Sequence, residues 1–184
     1  HALERAGRPW DAEARLDLAI ALSDGDPQLG VLSRSAGTHL IGLGDPRDRL
    51  RVRLGEALGI ARRHGDRHGE AWVLANLGLV EGGAERTDEA LASLEAALVT
   101  FRSVGDRRSE GIVLANIAVQ RRQQGRYDEA IACSQAALAV HREVGDRRAE
   151  GLVLGNLGAV LDWIGRVDEA MAHLEAALAI HREV

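Results

Sequence analysis

A Gly-Asp pair recurs at residues 25, 65, 105 and 145. A fixed period of this size is the mark of a repeat array, and it constrains the fold more tightly than length or composition does. In the three later copies the pair runs into arginine: Gly65-Asp66-Arg67, Gly105-Asp106-Arg107-Arg108 and Gly145-Asp146-Arg147-Arg148. Glycine is suited to ending a helix in the left-handed conformation, and aspartate is a good cap for the start of the next. A second break follows at Glu85, Gly125 and Gly165. Behind it stand Asp88-Glu89-Ala90, Asp128-Glu129-Ala130 and Asp168-Glu169-Ala170, acidic residues that complement the positive end of a helix dipole. Each copy therefore reads as two helices.

In chain order, residues 1–24 form a partial unit, with a helix from about Trp10 to Ser23. Residues 25–64 form a degenerate copy, with Thr38 and His39 where later copies hold apolar or small residues. Its second helix, from about Arg47 to Arg63, carries Leu50, Leu54, Ala57, Leu58 and Ala61 as one apolar stripe. Residues 65–104, 105–144 and 145–184 are strong copies. A single hairpin has more apolar surface than it can bury, and stacking on neighbours solves that problem. The expected organisation is thus one array over residues 1–184. The chain starts at His1 in mid-pattern, so it is expected to be a fragment of a longer protein.

Composition narrows the function classes. Hydrophobic residues make up 46% and aromatics only 3%, and the three prolines leave long stretches free to be helical. The net charge of −5 comes without a basic block, which argues against nucleic acid as a ligand. No apolar run approaches the ~18 residues that span a bilayer, so no membrane partner is expected. Cys133 is the single cysteine; it excludes an internal disulfide and fits a reducing, cytoplasmic setting.

With Glu70, Glu110 and Glu150 taken as equivalent, small or large apolar residues recur in register. In the last copy these are Leu154, Leu157, Gly158, Ala170, Leu174, Ala177 and Leu178. Asn-Leu-Gly stands at 76–78 and 156–158, and Asn-Ile-Ala at 116–118. This pattern resembles the tetratricopeptide repeat, in a longer variety similar to that of kinesin light chains, Leu-Gly-Asn-repeat adaptors and bacterial signalling proteins. The resemblance implies an all-α fold, a right-handed superhelical solenoid of antiparallel helix hairpins. Two departures stand out. Glu81, Arg121 and Leu161 replace a frequent tyrosine, and Ser134 replaces a large apolar residue, which suggests looser packing in that copy.

The resemblance also implies that the first helices line a concave groove. Asn76, Asn116 and Asn156 then fall on it, each offering an acceptor and two donors to the backbone of a bound peptide. The alternative is that each asparagine bonds only its own helix or a neighbour. Trp72, Leu79, Ile112, Val119, Leu152 and Trp163 would supply apolar contact, or pack between repeats, and Arg122 would favour an acidic ligand residue. The copies differ at every position from 117 to 124 against 157 to 164, as expected if the ligand face diversified on a kept scaffold, or if a tolerant helix end drifted.

The function expected is a protein-protein interaction scaffold that takes an extended or short helical peptide. The alternative is the regulatory or oligomerisation arm of a multidomain bacterial signalling or transcriptional regulator, with self-association through exposed array ends. No enzyme chemistry, cofactor or metal is expected. His64 and His68 flank a turn, while His141 and His181 occupy equivalent repeat positions. The Gly-Asp-Arg turns lack the strand and lysine of a phosphate loop, and Arg147-Arg148 reads as solvated charge at a repeat edge.

Overall fold

The computed structural model describes residues 47–83 and 86–183. The expected partial unit, the first helix of the degenerate copy and the break at Glu85 lie outside them. The described residues form seven helices: α1 (Arg47–Arg63), α2 (Arg67–Gly83), α3 (Thr87–Val104), α4 (Arg107–Gln123), α5 (Tyr127–Glu143), α6 (Arg147–Trp163) and α7 (Val167–Glu183). No strand occurs among them. The chain forms two compact units, His1–Thr100 and Phe101–Val184.

The Gly-Asp pairs punctuate the chain as their chemistry requires. Gly65, Gly105 and Gly145 have φ of 65°, 74° and 70°, and Gly125 and Gly165 have 73° and 80° at the second breaks. At Gly145 the amide donates to Arg142 O, and the Asp146 amide donates to His141 O. This paired closure ties off the last carbonyls of α5. The Asp146 carboxylate then accepts from the Ala149 amide at 3.1 Å and starts α6. Asp106 does the same for Ser109 at 3.0 Å, and Asp66 for Gly69 at 2.7 Å. One residue thus belongs to the end of one helix and the start of the next, so the linker has no slack.

In the first unit α1 packs on α2, burying Leu54, Ala57, Ile60 and Ala61. In the second unit α4 packs on α5, α5 on α6, α6 on α7, and α4 also meets α6. In two of the hairpins a close approach lies at the same repeat position. A Cβ on Gly78 would come 2.6 Å from Leu94 Cγ, and one on Gly158 would come 2.7 Å from Leu174 Cγ. The middle copy holds Ala118 and Ser134 at these two places, both buried. A larger residue on α4 is matched by a smaller one on α5, so Ser134 is half of a volume exchange.

That exchange predicts coupled energetics. Ser134→Leu in the presence of Ala118 should destabilise the protein by about 1–3 kcal/mol through overpacking. Adding Ala118→Gly should recover part of the loss, although Gly itself costs a helix about 1 kcal/mol. Urea midpoints of the two single variants and the double variant measure the coupling; strict additivity would remove the exchange.

Candidate functional site

On α6, Leu152, Asn156, Ala159 and Trp163 are spaced to form one stripe along the helix. All four are exposed, Leu152 by 55% and Trp163 by 76%. The corresponding residues Ile112, Asn116 and Val119 on α4 are half-buried, and Arg122 beyond them is exposed. Because α4 and α6 touch, the structure brings the Asn116 and Asn156 helices side by side. In the first unit Trp72 and Leu79 are half-buried on α2. Asn76 is buried there, and its Nδ2 donates to Trp72 O at 2.9 Å.

A charged girdle surrounds the helix starts of the second unit. Glu110 is buried and accepts from Arg102 at 2.8 Å and from Arg107. Glu150 repeats the arrangement, accepting from Arg142 at 2.7 Å and Arg147 at 2.6 Å. Burial alone would raise both carboxyl pKa values, but the two guanidinium hydrogen bonds outweigh it and hold each below the usual range. Arg107 and Arg147 also reach Glu143 and Glu183, and these bonds push the arginine pKa values further up. Arg147 is therefore bound at both ends, contrary to the solvated charge expected of it. Arg108 likewise pairs with Asp146 at 2.8 Å.

His141 is the residue whose role the sequence pattern hides. It is buried at the end of α5, and its Nδ1 has no hydrogen-bond partner. Its ring lies against Gly111, where a Cβ would come 2.8 Å from Cε1. The equivalent positions one copy earlier hold Phe101 and Ala71, both buried; the pairing of His141 with Gly111 was the available signal. Burial lowers the His141 pKa from 6.5, and Arg108 adds to that; Asp146, a hydrogen bond with the Gly111 backbone and Glu150 oppose it.

Cys133 is half-buried. Among the described residues no group of three His, Cys, Asp or Glu could hold a metal, and no helix is long and apolar enough to cross a membrane. An open cleft of about 460 Å³ in the first unit is lined by Arg62, Arg67, Glu70, Leu74 and Thr100, and Arg62 and Glu70 already pair there at 2.7 Å.

The geometry defines a class: antiparallel helix hairpins repeated in register with a closed Gly-Asp turn between them. Residues 109–183 match the family profile for the tetratricopeptide repeat. BtubC from P. vanneervenii superposes with a TM-score of 0.83 at 23% identity, over 100% of this chain and 75% of that one. Aspartyl phosphate phosphatase F from Bacillus subtilis gives 0.75 at 14%, over 94% of this chain and 49% of that one. The TPR-like repeats of a Podosopora anserina kinesin light chain give 0.63 at 13%, over 96% and 97%. At these identities the likeness establishes the fold. A comparison with curated protein sequences gives no significant match.

The buried histidine predicts an acid-sensitive fold. Its folded-state pKa is depressed, so between that value and 6.5 the unfolded chain binds more protons. Stability should be level above pH 6.5 and fall as the pH drops toward 5. His141→Phe, which copies the Phe101 of the preceding repeat, should flatten that fall in thermal melts at successive pH values. An unchanged pH profile would show that His141 does not couple to folding.

Proposed function

We propose that the second unit is a protein-interaction module that holds an extended or short helical peptide along the first helices. The observation that carries this reading is the exposed stripe of Leu152, Asn156, Ala159 and Trp163. A solvent-facing tryptophan and leucine flanking a free-facing amide suit an amphipathic peptide: apolar side chains dock on the stripe, and its backbone bonds the amide. Asn116 on the adjoining helix provides a second amide, and Arg122 supplies a cation for an acidic ligand residue. Tryptophan and arginine are also the residue types that most often carry binding energy. Asn76 is buried with its amide on its own helix, so the backbone-reading role falls to Asn116 and Asn156. Ile112 and Val119 on α4 add apolar surface of lower exposure.

The test uses a peptide selected by display against the whole chain. Asn116→Ala with Asn156→Ala should weaken its binding by about tenfold, as loss of two hydrogen bonds implies. Trp163→Ala should weaken it further. An affinity unmoved by all three substitutions would remove the stripe from the ligand site.

A further inference from the structure

The first turn of the leading helix carries the same arginine in all three strong copies, at Arg67, Arg107 and Arg147. In the second unit this arginine is used up inside the protein. Arg107 bonds Glu110 and Glu143, and Arg147 bonds Glu150 and Glu183. Arg67 is exposed, and its guanidinium makes no hydrogen bond or ion pair with any described residue, although Glu70 stands three residues on. The repeat position held by Glu143 and Glu183 is serine in this copy, Ser103.

Glu70 is open in the same way. Its Oε1 accepts from Arg62 at 2.7 Å, as Glu110 and Glu150 accept from Arg102 and Arg142. Its side chain is nevertheless 26% exposed, against 5% and 6% for those two. Glu70 and Arg67 both line the cleft of about 460 Å³ in the first unit, together with Arg62, Leu74, Ala96 and Thr100. Arg62 neutralises Glu70, so the charge left uncompensated along this wall is that of Arg67.

We propose that the cleft is a binding site for a small carboxylic acid, whose carboxylate bonds Arg67 and whose short aliphatic stem lies against Leu74 and Ala96. A guanidinium takes a carboxylate through paired N–H donors, as Arg107 takes Glu143 through Nε and Nη2. One uncompensated positive charge beside the Glu70 carboxylate suits a monoanion better than a dianionic phosphate. The carboxylate can belong to a free organic acid or to a glutamate side chain of a peptide, since both present the same group on the same kind of stem. This cleft belongs to the first unit and the peptide stripe to the second, so either reading can fail without the other.

The experiment titrates the full chain with butanoate, with chloride added to hold the ionic strength constant, and follows the backbone amides of Leu74 and Thr100 by NMR. A second arm uses a peptide whose only charged side chain is glutamate, and a third uses inorganic phosphate. Saturable shifts with a dissociation constant of about 1–10 mM are expected for butanoate. Arg67→Gln should weaken binding by about tenfold or more; because Arg67 is exposed and unbonded, the fold should stay in place. Arg148→Gln, at an exposed arginine of the second unit, should leave the binding unchanged. Saturation by the peptide without saturation by butanoate would assign the carboxylate to a partner's glutamate. Absence of saturation by either up to about 50 mM, tighter binding of phosphate than of butanoate, or equal losses from the two arginine substitutions overturns the proposal.

Discussion

Two buried carboxylates hold the second unit in register. Glu110 and Glu150 each lie at the first turn of a hairpin's leading helix, out of water. Each is bonded by an arginine from the helix before it and by one from its own first turn, and the latter arginine reaches on to the last turn of the hairpin's second helix. One glutamate thus links three helix ends. A buried carboxylate without such partners would be expensive, so the hairpins have to stack where the arginines can reach. The Gly-Asp turn makes this possible because it leaves no loop between the arginine and its target.

Around that fixed point the copies adjust by local exchange of volume. Gly78 and Gly158 give room to Leu94 and Leu174, while Ala118 stands in the copy with Ser134. Gly111 gives room to His141, and the preceding copy has Ala71 and Phe101 at those positions. Interiors packed to the density of protein cores feel changes of a single methylene. Within the second unit the close pairs are Gly111 with His141 and Gly158 with Leu174.

Much of this was legible in the chain itself. The Gly-Asp period marks helix ends, and the helix expected from about Arg47 to Arg63 has those bounds. Environment was less legible, because one register assigns one role to all copies while burial depends on what packs outside them. Asn116 is half-buried beside α6, whereas Asn156 is exposed, and Asn76 is buried. Leu138 and Leu178 share a position yet differ in the same way. Pairing across copies was hidden too: Arg147 reads as surface charge until Glu183 is brought to it from the far end of the hairpin.

The most direct test of the carboxylate clamp compares two substitutions that remove the same charge. Glu110→Gln should lower the unfolding free energy by about 1–3 kcal/mol, the range for hydrogen bonds to a charged group. Glu143→Gln, on the exposed end of the same chain of ion pairs, should leave the urea midpoint near that of the parent. Equal and small effects at both sites would contradict the claim that the buried glutamates hold the hairpins in register.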